Sequence, residues 1–175
     1  MTKTTHYQGR YLRLVSEQRW EYVERTKASG VVAVLAITLD NRILLVEQFR
    51  PPLGVPVIEI PAGLAGDQSG AEHEPLAEAA RRELVEETGY SAASMHELGT
   101  GPSSAGLTNE LITFFEARHL TKVSEGGGDG SESITVHAIP LTELRSWLES
   151  RERSGSLTDF KIWAALAMAG RCPPV

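Results

Sequence analysis

Two short stretches near the start, Tyr11-Leu12-Arg13-Leu14-Val15 and Trp20-Glu21-Tyr22-Val23-Glu24, alternate apolar and polar residues. That period of two predicts a pair of half-exposed strands joined by a tight link near Glu17-Gln18. Residues 30–37 are an unbroken apolar run rich in β-branched side chains, the pattern of a strand buried on both faces. Asp40-Asn41 then supplies turn chemistry, and residues 42–49 are expected to return as the hairpin partner of that strand. Arg50-Pro51-Pro52 ends the ladder, because proline has no N–H to donate.

Downstream, residues 57–60 read as a short strand and residues 61–73 as a loop. Residues 74–88 form the clearest helix in the chain. Pro75 suits its first turn, Leu76, Ala79, Ala80 and Leu84 supply an apolar stripe, and Gly89 suits a left-handed end. Strands are expected around 95–99, 111–118 and 134–139, with a mobile glycine-rich loop at 125–131 and helices at 141–150 and 158–169. Strands and helices mix without a regular βαβ repeat, which predicts an α+β layout instead of a doubly wound one.

The chain has 175 residues, enough for one domain with a sizeable core, and is 41% hydrophobic and 23% charged, as soluble globular proteins are. Its net charge of −6 argues against nucleic-acid binding through a broad basic surface. It also means that a phosphate-bearing ligand must be held by a few placed Arg or Lys residues or by a metal. Cys172 is the only cysteine, so no intrachain disulfide forms, and beside Pro173 and Pro174 it reads as an incidental thiol. Residues 1–8 contain no apolar run, so neither a signal peptide nor a membrane span is expected. A cytoplasmic location follows by default.

The chemistry is concentrated in Arg82-Glu83-Leu84-Val85-Glu86-Glu87-Thr88-Gly89-Tyr90. On a helix, Glu83 and Glu87 lie one turn apart, and Glu86 lies beside them at a spacing of three. Three carboxylates on one face repel each other, and a solvated acidic face is the usual reason for such a run. Here apolar residues bracket the cluster and a Gly-Tyr stop follows it directly. Oxygen-rich clusters of this kind suit Mg²⁺ or Mn²⁺. Arg82 can pair with Glu86 and fix one carboxylate, and Glu74 sits at the opening of the same helix.

This stretch resembles the Nudix box. Glu74, then Arg82-Glu83-Leu84-Val85-Glu86-Glu87-Thr88-Gly89-Tyr90, matches it at every specified position. The box glycine should stand at position 68, which is Gln68; it is better taken as Gly63, with about five extra residues within 65–73. Arg19 to Thr26, Val46 to Pro52 and Glu59 to Leu64 further resemble the ADP-sugar pyrophosphatase branch.

The resemblance implies an α/β/α sandwich with a mixed central sheet. It implies N-terminal strands (1–28) that serve dimerisation and base binding, ahead of a hydrolase domain (29–175), in a homodimer whose strands reach toward the partner's site. It places the metal on Glu83, Glu86, Glu87 and the carbonyl of Ala62, with Mg²⁺ expected and Mn²⁺ possible. Trp20 would stack on the base with Glu21 near its edge, and Arg25 and Arg50 would contact the phosphates. Glu132 would be the catalytic base, with Asp129 or Glu125 as substitutes, and Glu86 and Arg82 would support the reaction.

The implied activity is divalent-metal-dependent cleavage of a nucleoside diphosphate sugar, with ADP-ribose, giving AMP and ribose 5-phosphate, as the leading substrate. Alternatives are ADP-glucose, GDP-mannose or UDP-glucose, a broad housecleaning activity, or a noncatalytic nucleotide sensor. The proline expected about sixteen residues beyond the box glycine is replaced by Ala105, which leaves the sugar open. No nucleic-acid or membrane partner is expected.

Overall fold

The computed structural model describes residues 2–67, 70–128 and 133–172. Its first strands, β1 (Lys3–Gln8), β2 (Leu12–Glu17) and β3 (Trp20–Arg25), form an antiparallel sheet in that order. β2 and β3 are the two expected strands, and Gln18 takes a left-handed φ of 56° in the turn between them. β1 was not foreseen. All six of its residues are exposed, so its side chains carry no burial alternation, and backbone pairing with β2 holds it.

The remaining strands are β4 (Gly30–Ala36), β5 (Arg42–Arg50), β6 (Val55–Glu59), β7 (Ala62–Ala65), β8 (Tyr90–Pro102), β9 (Leu111–Lys122), β10 (Thr135–Pro140) and β11 (Leu157–Thr158). The helices are α1 (Leu76–Thr88), α2 (Leu144–Arg153) and α3 (Lys161–Met168). Two mixed four-stranded sheets result, ordered β7-β4-β9-β8 and β10-β5-β6-β11. Within them β4–β9 and β6–β11 are parallel and the other pairs antiparallel.

The expected β4–β5 hairpin is corrected by this topology. Among the described residues the two segments share the bridge Ile37–Ile43 and then enter different sheets. The Asp40-Asn41 turn is present, with Asn41 at a φ of 59°. However, β7 and β9 occupy both edges of β4, and β6 and β10 occupy both edges of β5, so neither strand has a free edge for the other.

Burial on both faces of β4 is as its apolar run predicted. Ala33 and Leu35 pack with Leu144 and Leu148 of α2 and with Ile162, Ala165 and Leu166 of α3. Val32, Val34 and Ala36 pack with Ala79, Ala80 and Leu84 of α1 on the opposite side. Helices therefore cover both faces of the strand layer, and each fully buried leucine contributes about 1.5–3 kcal/mol. Among the described residues no helix is long and apolar enough to cross a membrane.

α1 starts after Pro75 (φ −60°, ψ 139°) and stops at Gly89, whose left-handed φ of 75° lets its N–H reach the Val85 carbonyl. A Cβ at Gly89 would lie 2.1 Å from the Ser124 carbonyl oxygen, so glycine is required there. β7 was read as loop, since Ala-Gly-Leu-Ala has little strand propensity. Pairing with β4 makes it a strand and sets Ala62 and Gly63 beside α1.

Candidate active site

Arg82 organises the acidic face of α1. Its Nε and Nη2 donate to the two oxygens of Glu74 at 3.2 and 3.1 Å, and Nη2 also donates to the Leu64 carbonyl at 2.9 Å. Nη1 divides itself between Glu83 Oε1 at 2.8 Å and Glu86 Oε2 at 3.1 Å. All five guanidinium N–H groups are thereby used. Bonding to Glu74 foremost outweighs burial and raises the Arg82 pKa above its already high ordinary value, so this arginine stays charged. The expected Arg82–Glu86 pair is present, and Glu74 and Glu83 join it.

Glu83 leans on the backbone of Gly63. A Cβ there would lie 2.0 Å from the Glu83 carboxyl carbon, so the missing side chain is the space the carboxylate occupies. Gly63 thus makes room for Glu83 despite the longer loop after it. Burial pushes the Glu83 pKa up, and Arg82 works against that rise. Glu87 is 3% exposed and accepts a hydrogen bond from the Ala62 N–H at 3.1 Å. Ala62, Gly63 and the three helix glutamates therefore meet where β7 runs past α1.

These donors suit a hard divalent cation. They are all oxygens, and the carboxylates of Glu74, Glu83 and Glu86 share the single Arg82 guanidinium. Among the described residues no three acidic or histidine side chains already close into a cage. The arrangement therefore fits metal whose shell is shared among these carboxylates, water and substrate oxygens, as Mg²⁺ is commonly held.

The start of the glycine-rich loop is tied to this helix. Gly127 N–H donates to the Glu87 carbonyl at 2.9 Å and Gly128 N–H to the Glu86 carbonyl at 3.0 Å. Glu125 is exposed and pairs with Lys122 at 3.0 Å. Glu132 and Asp129, the other two candidates for the base, lie outside the described residues.

Trp20, 57% exposed, lines a groove of about 400 Å³ with Tyr22, Ala105, Gly106 and Asn109. Strand alternation turns Glu21 to the other face of the sheet. Arg25 donates to Glu110 Oε2 at 2.5 Å, and Arg50 donates to the buried Glu59 at 2.6 Å, with Lys161 at 3.4 Å on the same carboxylate. Both arginines remain over a third exposed. β3 is anchored to the segment before β9 by Val23 N–H to the Leu107 carbonyl at 2.9 Å and by Asn109 Nδ2 to Glu24 at 3.2 Å. Asn109 and Glu110 were missed by sequence reasoning, because their partners are 85 residues away and leave no local signal.

A carboxylate-rich helix clamped by one arginine against a strand of a mixed sheet suits the binding of a divalent ion and, through it, of phosphate oxygens. The chain belongs to the Nudix family, whose NUDIX domain matches residues 29–159, and it is an enzyme of the hydrolase class. It is 36% identical over 140 residues to an ADP-ribose pyrophosphatase of Bacillus subtilis strain 168, covering 79% of this chain and 73% of that one. It is 32% identical over 160 residues to an ADP-sugar pyrophosphatase of Mus musculus, covering 83% and 71%. A crystal structure of an ADP compounds hydrolase superposes with a TM-score of 0.70 at 21% identity, covering 98% of this chain and 95% of the other, and so shares its fold.

Proposed function

We propose that this enzyme cleaves the diphosphate of nucleoside diphosphate sugars, with ADP-ribose, yielding AMP and ribose 5-phosphate, as its leading substrate. The observation that carries the reading is the five-bonded Arg82, which holds Glu74, Glu83 and Glu86 in one cluster beside Gly63. The names of the relatives in bacillus and mouse support the substrate class.

In the proposed reaction a water oxygen attacks one phosphorus, the bridging P–O bond breaks, and the water's proton passes to a general base. Mg²⁺, or Mn²⁺ in its place, held by Glu83, Glu86, Glu87 and the Ala62 carbonyl, would lower the pKa of that water and neutralise charge on the leaving phosphate. Arg82 binds Glu83 at 2.8 Å and Glu86 at 3.1 Å and so aims both carboxylates. Arg25 and Arg50 are assigned to the phosphates, Trp20 to stacking on the base, and Glu132 to proton removal. The 1–28 segment is assigned to dimerisation. Its exposed Tyr7, Tyr11, Leu12 and Leu14 support a homodimer, which sedimentation tests. A cytoplasmic location belongs to the same proposal and is tested by fractionation.

The deciding experiment incubates a panel of nucleoside diphosphate sugars with Mg²⁺ or Mn²⁺ and separates the products by chromatography. AMP and ribose 5-phosphate from ADP-ribose is the expected result. Consumption of no diphosphate compound refutes the reading, and tight binding without turnover replaces it with a sensor.

A further inference from the structure

A second group of polar side chains gathers at the C-terminal end of β4, across the strand layer from the acidic helix. Leu35 packs toward α2 and α3, whereas Val34 and Ala36 pack toward α1. Glu116 of β9 is in register with Leu35, so it and Arg118, two residues further on, share the α3 face. Beyond α3 the chain turns back, with the Arg171 N–H donating to the Leu166 carbonyl at 2.8 Å. That turn brings the Arg171 guanidinium to 3.9 Å from Glu116. A cavity of about 280 Å³ lies here, bordered by Thr38, Asn41, Glu116, Arg118, His119 and Arg171.

The donors of this cavity are only partly spent. Arg118 directs Nε and Nη2 at Glu116 Oε2, 2.7 and 2.6 Å away, which leaves its Nη1. Arg171 makes only its long contact with Glu116, and the side chains of Asn41 and His119 have no hydrogen bond among the described residues. The acids are already answered: Glu116, 6% exposed, by Arg118, and Asp40 in the neighbouring turn by the Thr38 hydroxyl at 2.6 Å and Arg42 at 2.9 Å. The lining thus sets two guanidiniums against one carboxylate, in a chain whose net charge is −6. Asn41 and His119 hold left-handed φ angles of 59° and 57°, a costly backbone state that is concentrated at ligand sites.

We infer that this cavity binds a phosphate group, as the free anion or as a small monoester, at a site separate from the reaction centre. Arg171 and the remaining Nη1 of Arg118 donate to its oxygens, and the Asn41 amide and the His119 ring complete the shell. A phosphate offers several acceptor oxygens and no donor that the lining needs, and guanidiniums are its ordinary partners. The two arginines repel a cation, and an apolar ligand leaves their donors unanswered. The volume is slightly below the usual range for small-molecule sites, which confines the ligand to a small phosphorylated group. None of this depends on which diphosphate the enzyme cleaves.

The test follows backbone amide NMR shifts of the full chain, kept metal-free with a chelator, at constant ionic strength. Inorganic phosphate is added in one arm and ribose 5-phosphate in the other. Residues 37–41 and 116–119 are expected to shift together, with a Kd on the order of 1 mM for a half-exposed site. Arg171→Ala should weaken binding about tenfold and leave the rest of the spectrum in place, while Arg171→Lys, which keeps the charge without the fork, should fall between. The arm with the lower Kd tells whether the free anion or the ester is the preferred ligand. Absence of any shift up to about 50 mM in both arms overturns the inference. So do shifts that cluster around Arg25 and Arg50 instead, or binding that Arg171→Ala leaves undiminished.

Discussion

Gly63→Ala separates catalysis from stability. A Cβ at this position would lie 2.0 Å from the Glu83 carboxyl carbon, whereas ordinary van der Waals contact begins near 3.4 Å. The carboxylate must therefore retreat by the difference, about 1.4 Å. The same shift stretches its 2.8 Å bond to Arg82 beyond hydrogen-bonding reach. Misplacing a reacting group by about 1 Å costs on the order of 10²-fold in rate, and a loss of that size is expected in kcat. Gly63 is not among the glycines with positive φ, so alanine brings no backbone strain, and the unfolding free energy should fall by only about 1–3 kcal/mol, from the crowding and the weakened Arg82 pair. Initial rates on ADP-ribose with saturating Mg²⁺, set beside thermal unfolding, read both quantities. A fully folded Gly63→Ala enzyme with kcat within threefold of wild type would show that the seat of Glu83 against β7 is not needed.

Arg82→Ala strips five hydrogen bonds and leaves Glu74 and Glu83, each 14% exposed, without their cation. Denaturant unfolding should report a loss of about 3 kcal/mol, together with at least about 10²-fold lower turnover; an unchanged midpoint refutes the clamp. Trp20→Ala should raise KM about tenfold for nucleotide substrates, the value of one base stack, while leaving stability within about 1 kcal/mol because the ring is 57% exposed. An unchanged KM removes Trp20 from base binding. Glu24 is 3% exposed, and its bond from Lys3 foremost, then that from Arg13, hold its carboxyl below the ordinary range against the effect of burial. A depressed pKa means that its contribution is complete above the unfolded carboxylate value of about 4.3 and is lost as pH falls through the lower folded value. Glu24→Gln should therefore flatten the acid limb of the melting temperature between about pH 6 and pH 3, and parallel curves for the two proteins would contradict this.

Local pattern made much of the fold legible. The apolar run of β4, the stripe and punctuation of α1 and the alternation of β2 and β3 each reflect burial, which a short window records. β1 and β7 escaped because their strand character comes from pairing alone: one is exposed throughout, and the other is Ala-Gly-Leu-Ala. The β4–β5 hairpin misled because turn chemistry specifies a reversal and says nothing of which edges remain open. At the site, helix spacing placed Glu83, Glu86 and Glu87 correctly relative to one another. The Leu64 carbonyl, Asn109 and Glu110 were invisible, since each meets its partner across 18 to 85 residues.

The last turn of α1 carries Glu86 and Glu87, one turn beyond Glu83, and contains no basic residue. The helix dipole adds further negative potential at that end. The native state therefore holds a latent demand for positive charge, and an ion bound only there will raise the unfolding free energy by mass action, so occupancy and resistance to heat should climb together. The carbonyls of Glu86 and Glu87 also receive Gly128 and Gly127. The helix end and the start of that loop thus form one cooperative unit, and a local opening that frays the turn would release its glycine tether in the same event.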